Sequence, residues 1–531
     1  MNKKQGANTL NGQQYQEITA YDRLRMPRHT LDWQNVPRQT KSDPALPTIA
    51  LETGVDLIKK SFWQVMEKPR GSSGIASIDI KTLSEVFRLA YGYTARQRAG
   101  GQTYLYRSVP SAGALYPVEI YVSGAGIPGL PRGLFHYDIQ DFSIRQLLGE
   151  EASALIAERL SIPKPEKSWV SFILSGIFFR SAWKYRKRAF RYVLLDTGHL
   201  VENLTSALAF EGLPCSIRYD FVDENLCSLV GLDRSKEACF AIVDVRMDRL
   251  LKAAGGEVPP ADPMVQDVGV TDTSRVSFQE VTYDAVKQIY FTSSERLKDD
   301  RPDNGMPLAT LPEPREWFPV RHQDVKNSDA DYVGVIQGRR SRRNFVKDPI
   351  PAMSFMRLLW LMGTTPASDT SGKPCLSPVA TGFLVGHVEG FDQGFYRFDG
   401  ENNRYGLLKP GSFVAQMAGV CLEQLWLANA GALFSFVANL KALDDSCGAR
   451  GYRHAMMEAG LLGQRLYMGS TALGLGCCGI GAFYDNEARV LLGLDDVSYM
   501  LYLVAVGVIK KLVFLAIWEK GLLVSWMGGF V

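Results

Sequence analysis

RYVLLDTGHLVENL at 191–204 and RHAMMEAGLLGQRL at 453–466 are one helix written twice, 262 positions apart. Apolar residues recur at helical spacing through 191–212, and Gly212 is placed to stop the helix. The segment after the helix repeats at the same offset. GLPCSIRYDFVDENLCSLVGLD from Gly212 matches GLGCCGIGAFYDNEARVLLGLD from Gly474, which pairs Cys215 with Cys477, Phe221 with Phe483 and Asp223 with Asp485. Upstream, Asp138 of FHYD pairs with Asp399 of YRFD at an offset of 261. A shared offset across separate motifs marks a tandem duplication of a helix-and-strand domain of ordinary size. Two such copies bury against each other the surface that the subunits of a homodimer share. An intrachain pseudo-dimer that can stand as a monomer is therefore expected.

Outward from that helix, PVEIYVSG from Pro117, GLFHYD at 133–138, FILSGIFF at 172–179 and ACFAIVDV at 238–245 read as strands. LSEVFRLAYGY from Leu83 reads as a helix stopped by Gly92, and 51–68 as helical. Residues 252–330 are rich in Pro, Gly and Asp, the composition of a connector, around a short helical piece, YDAVKQIYFTSSERL. The expected organisation is an irregular N-terminal extension over 1–50, a first domain over 51–250 and a linker with a short helix over 251–328. A second domain over 329–511 and an apolar tail over 512–531 complete it. The fold class is α+β.

Composition excludes several function classes. The 531 residues are 46% hydrophobic and 22% charged, with a net charge of +3. That is a soluble globular mix without the basic excess of a nucleic-acid binder. Eight cysteines without a Cys-x-x-Cys pair point to a reducing, cytoplasmic compartment, and the adjacent Cys477 and Cys478 read as buried apolar residues. The N-terminus, MNKKQGANTLNGQQYQ, has no apolar signal core. Glu519 and Lys520 split the C-terminal LVFLAIWEKGLLVSWMGGFV into parts shorter than the ~20 residues of a spanning helix, so no membrane partner is expected.

Four segments carry chemistry. GLGCCGIG at 474–481 contains Gly-x-Gly-x-x-Gly, but a helix precedes it where a dinucleotide fingerprint needs a strand, so its glycines read as a cap and a turn. GRRSRRNF at 338–345 sets four arginines around Ser341 ahead of a predicted helix, a match for a phosphate dianion or a solvated charge run. PSAGALYP at 110–117 runs into an apolar strand, and its small residues would let a flat ring approach the backbone. FRSAWKYRKRAFRY at 179–192 sets Lys184 beside Tyr185, a basic aromatic loop or an acid/base pair.

Together YDRLRMPRHTLDW at 21–33, PSAGALYPVEIYV at 110–122, WKYRKRAFRYVLLDTGH at 183–199 and RRSRRNF at 339–345 resemble the nitroreductase superfamily of flavin enzymes, and within it the SagB-type azoline dehydrogenases. The resemblance implies two nitroreductase-like domains with FMN at their junction. It places Arg339, Arg340, Ser341 and Arg343 at the flavin phosphate, with Lys510 nearby. Pro110, Ser111, Ala112, Gly113 and Ala114 face the ring from the other copy, and Gly481 and Ala482 supply backbone beside it. It makes Lys184 and Tyr185 the catalytic pair. The implied reaction removes a proton and a hydride from a thiazoline or oxazoline in a precursor peptide, delivered by a partner cyclodehydratase. Lys184 or Tyr185 is the candidate base, each lowered toward neutrality by the other or by burial.

The copies depart from the pattern in opposite ways. The first has PRGSSGI at 69–75 where the arginine arm is expected, and the second has SGKPCLSP at 371–378 in place of PSAGALYP. ANLKALDDSCGARGY at 438–452 lacks a Lys-Tyr pair. Ring loop and Lys-Tyr from copy one would join the arginine arm of copy two in one good site, leaving one poor site. Two rivals stay open: a general NAD(P)H-dependent nitro or enone reductase, which does not need Lys184 and Tyr185, and a non-catalytic scaffold in a biosynthetic complex.

Overall fold

The computed structural model describes residues 9–26, 30–53, 58–67, 78–99, 102–162, 168–245, 274–296, 311–321, 330–364 and 379–510. The duplication is visible as topology. In the first seven-stranded sheet the strands run, edge to edge, Thr48–Ala50, Ser143–Leu148, Gly133–Asp138, Val118–Ala125, Trp169–Ile177, Glu237–Val245 and Cys215–Arg218. In the second they run Phe318–Pro319, Arg404–Pro410, Gly394–Asp399, Ala380–Val385, Ala432–Asn439, Ser498–Gly507 and Gly476–Ile480. The order is the same in both, and every neighbouring pair is antiparallel.

The repeated helices, Ala189–Glu211 and Arg450–Ala472, are buried almost throughout. Each packs on its own sheet and on the other helix, so the molecule is layered sheet, two helices, sheet, with one apolar core running through both copies. The helices touch at glycines 262 positions apart. A Cβ on Gly198 would lie 1.9 Å from the Met457 carbonyl oxygen, and one on Gly460 would lie 2.2 Å from that of Leu195. No other residue permits this approach. Gly212, at φ +75, ends the first helix as its position in the sequence suggests.

The repeat reaches into both segments that composition sets aside as extension and linker. Residues 1–50 are not wholly irregular. Asn11 and Gln14 form a capping box that starts a helix over Gly12–Ile18. Its counterpart is the Asp284–Thr292 helix in the connector, as matched hydrogen bonds show. Arg191 donates Nε to Thr19 Oγ1 and Nη2 to the Gln16 carbonyl, and Arg453 donates Nε to Ser293 Oγ and Nη2 to the Tyr290 carbonyl. The helices are exchanged: Gly12–Ile18 lies on the Leu440–Cys447 helix of copy two, and Tyr290 packs against Phe178 of copy one.

Two elements differ from expectation. Within 51–68 only Phe62–Glu67 is helical among the described residues, because the backbone at Lys60 and Phe62 first pairs with Tyr332 and Ala330. The strand expected over 172–179 ends at Ile177, and a helix runs Phe178–Tyr185. A short apolar run does not itself separate strand from helix. Cys477 and Cys478 are buried. Among the described residues no helix is long and apolar enough to cross a membrane. The 512–531 tail, PRGSSGI and SGKPCLSP lie outside the described residues.

Candidate active site

The ring loop is a strained turn with many ties. Gly113 has φ +66, and Ala114 and Tyr116, which carry Cβ atoms, have φ +53 and +47. Each such non-glycine residue costs about 1–2 kcal/mol, so the loop needs fixed partners. Arg180, paired with Glu119, donates to the Tyr116 carbonyl at 2.9 Å, and Gln39 donates to the Ala114 carbonyl at 2.7 Å. The Ser111 hydroxyl donates to Asp196 at 2.5 Å and accepts the Tyr116 N–H at 2.9 Å, and the Ala112 N–H also points to Asp196, at 3.3 Å. Pro110 is buried behind the loop, whereas Gly113 is exposed.

Lys184 and Tyr185 end the Phe178–Tyr185 helix directly against this loop. A Cβ on Gly113 would lie 3.0 Å from Tyr185 Oη and 3.2 Å from Lys184 Cδ. Burial, with Arg343 nearby, lowers the Lys184 pKa. Burial, then Tyr192 and Asp196, raises the Tyr185 pKa well above a free phenol. Adjacency suggests mutual activation, but these surroundings favour a neutral amine and a protonated phenol. The Tyr185 and Tyr192 rings lie 4.0 Å apart, and Tyr192 donates to the Gly481 carbonyl of copy two at 3.1 Å. Gly481 has no room for a side chain, since its Cβ would lie 2.5 Å from Tyr192 Cε1. Ala482, beside it, is half-buried.

The arginine arm joins from copy two. Arg339 is buried and donates to the Ser108 and Arg107 carbonyls at 2.7 and 3.0 Å, which ties the arm to the strand leading into the ring loop. Arg340 is half-buried and donates to Thr94. Ser341 hydrogen-bonds Tyr467 at 2.9 Å, and Arg343 is exposed. Lys510 pairs through its backbone with Asn344 of the arm. The structure thus brings the ring loop, Lys184, Tyr185, Gly481, Ala482 and the arm to one junction, with Lys510 at its edge. Of the four arm residues, Ser341 and Arg343 keep exposed side chains, while Arg339 and Arg340 bind copy-one backbone. A cavity of about 820 Å³ opens beside Tyr185, lined by Thr19, Tyr21, Arg188, Asp485 and Tyr499 among others.

The nitroreductase family profile matches residues 76–245 and 396–508. The chain belongs to the nitroreductase family. A Methanocaldococcus jannaschii protein named as a nitroreductase, MJ1384, is 29% identical over 177 residues, 33% of this chain and 88% of that protein. The trifolitoxin-processing protein TfxB of Rhizobium leguminosarum bv. trifolii is 31% identical over 169 residues, 30% of this chain and 43% of that protein. The chain therefore matches less than half the length of TfxB. A crystal structure of a nitroreductase from Anabaena variabilis superposes with a TM-score of 0.72 at 23% identity, covering 94% of this chain and 99% of that one, and so shares the fold.

Nitroreductase pseudo-symmetry also locates the mirror of this junction. There Ser446 and Cys447 stand for Lys184 and Tyr185, His454 for Tyr192, Tyr219 for Gly481 and Asp220 for Ala482. Arg450 donates to the Tyr219 carbonyl as Arg188 donates to that of Gly481, and the Tyr219 ring packs 5.5 Å from His454. The framework is kept, while a tyrosine stands at the glycine position. Sequence reasoning overlooks Asp196, Tyr192, Arg188 and the cavity wall at 19–26. The available signal is an acid at 196 directly after the apolar Val193–Leu195 run of the repeated helix.

Proposed function

We propose that this nitroreductase is an FMN-dependent dehydrogenase of SagB type, which oxidises thiazolines or oxazolines in a peptide to thiazoles or oxazoles. The observation that carries the reading is the contact of Lys184 and Tyr185 with Gly113 of the ring loop. A reductase that only passes hydride to a diffusible acceptor needs no such pair. The likeness to TfxB, named for processing trifolitoxin, supports a peptide substrate.

The residues fit FMN. Gly113 presents exposed backbone and Gly481 half-buried backbone at the junction, and Ser341 and Arg343 extend uncovered from the arm. Ser341 and Arg343 would hold the phosphate, with Arg339 fixing the arm to the ring loop. Ala112, Gly113, Ala114, Gly481 and Ala482 would face the ring. When bound, FMN supplies the hydride acceptor. Lys184, in its deprotonated form, takes the proton from the azoline carbon next to the hydride donor. Tyr185, kept protonated, donates a hydrogen bond to the heterocycle. The cavity beside Tyr185 gives room for flanking peptide, and the exchanged N-terminal helix lines one wall of it. A cyclodehydratase that makes the azoline is the partner class the chemistry requires.

The test uses synthetic peptides bearing one thiazoline or one oxazoline, followed by loss of two hydrogens in the mass spectrum. Lys184→Ala and Tyr185→Phe should keep FMN and lose turnover by about 10²–10⁴. Wild-type protein that reduces nitro compounds with NAD(P)H but aromatises neither peptide would overturn the reading.

A further inference from the structure

Asp196 is the residue beneath the ring loop that this chemistry leaves unused. It is 6% exposed, and among the described residues it forms no ion pair. Its two carboxyl oxygens are taken by the Ser111 hydroxyl and the Ala112 N–H, both on the loop. The titratable groups that feel its charge are Tyr91, Tyr116, Tyr185 and Tyr502 from four other parts of the fold, and Tyr192 and His199 lie four residues before and three after it on its own helix. All six are neutral near pH 7: burial raises the phenol pKa values further above their ordinary value and lowers that of the imidazole to about 3. The loop therefore rests on one carboxyl group with no fixed countercharge. The position is acidic in both copies, since Glu458 lies 262 residues on.

We propose that Asp196 is a positioning residue that clamps the Ser111–Ala114 loop and takes up a proton when the flavin carried by that loop is reduced. The inference rests on the FMN reading of the site. Reduction brings two electrons and one proton to the ring as hydride. The added negative charge would disfavour the carboxylate that holds the loop through Ser111 and Ala112, so one further proton would pass from water to Asp196, which becomes a neutral acid. The loop's N–H and O–H donors favour the carboxylate, and burial opposes them, leaving its pKa at about 7. A proton affinity balanced near neutrality is the condition for such coupling. The coupling is reciprocal: a carboxylate that is protonated on reduction also makes the ring harder to reduce.

The test is the reduction equilibrium of bound FMN between pH 5.5 and 8.5, followed by absorbance against a reference dye during dithionite titration. Asp196→Asn removes the charge at every pH. The variant and wild type should agree at the acid end and diverge through neutrality. At pH 8.5 the wild type should be roughly tenfold or more harder to reduce, within the usual range of coupling between sites. Coincident curves at full flavin occupancy would overturn the proposal and leave the cofactor reading intact. Failure of the wild type to bind FMN would overturn the cofactor reading and this inference with it. Should Asp196→Asn not retain flavin, Ser111→Ala provides the second arm. Loss of the hydroxyl should raise the Asp196 pKa and move the break in the wild-type curve to higher pH, and an unmoved break would overturn the proposal.

Discussion

Lys184 and Tyr185 stand next to each other in the sequence, yet their surroundings drive both toward neutrality. Burial, then Arg343, lowers Lys184, and burial, then Tyr192 and Asp196, raises Tyr185. A lysine base is active once deprotonated, so kcat should climb with pH through the depressed Lys184 pKa and then level off. Lys184→Arg keeps the cation but cannot shed its proton. It should lose the rising limb and turnover together, and a pH profile of kcat checks this. Arg343→Ala should weaken FMN binding by about 1.5–3 kcal/mol, the range for a charged hydrogen bond, read by flavin titration. Asp196 carries a stability consequence. Its folded pKa of about 7 lies above the ordinary carboxyl value, so ionisation opposes folding. The penalty is absent below the unfolded pKa near 4, grows as pH rises, and is complete above the folded value, reaching about 4 kcal/mol. Flavin-free Asp196→Asn should therefore melt above the wild type at pH 8, and the gap should close as pH falls toward 4. Lys184 and Tyr185 were legible in sequence because they are contiguous. Asp196 was not, because its partners are a distant loop and the absence of water.

The central helices meet where Gly198 and Gly460 leave no space, so the element contact is set by two missing side chains. Gly198→Val would put carbon atoms into the Met457 carbonyl and separate the copies. Its cost should exceed the 1–3 kcal/mol typical of overpacking, measured by urea unfolding. The helix ends are tied by a repeated lock. Arg188 and Arg191 pair with Asp485, each at 2.7 Å, and Arg450 and Arg453 pair with Asp223, at 2.8 and 2.5 Å. Breaking either lock should destabilise by about 3–5 kcal/mol. Only the first also lies at the proposed flavin junction, where Arg188 donates to the Gly481 carbonyl. Asp485→Asn should thus lose stability and flavin retention, while Asp223→Asn should lose stability alone. The arginines lower the Asp485 pKa against burial, so its contribution is complete above the ordinary carboxyl value. It fades as pH falls through the depressed one. The long helices, the strands after the ring loop and the glycine cap were readable from period and punctuation. The exchanged helices were not, because Gly12–Ile18 and Asp284–Thr292 share almost no residues and correspond only through the arginines they accept.

Across the whole molecule, duplication gives two framework-equivalent junctions whose chemistry has separated. One has Gly481, Tyr192, Lys184 and Tyr185, and the other has Tyr219, His454, Ser446 and Cys447. The shared offset exposed this symmetry and its breaking. The family profile and the matching sheet orders agree with that reading of the fold. What sequence could not supply was the third dimension of the site: which arm arginines are exposed, what lies under the ring loop, and that the N-terminal segment walls a cavity beside Tyr185. Loss of phosphate contacts and the tyrosine at the glycine position should each weaken the second junction, together on the order of a hundredfold or more. The central claim is that the two halves complement each other in a single flavin site. The ratio of FMN released on denaturation to protein, after saturation and gel filtration, tests it most directly. A ratio of about one per chain is expected, falling toward zero in Arg343→Ala with Gly481→Leu. A ratio of about two, or none in the wild type, would contradict the account.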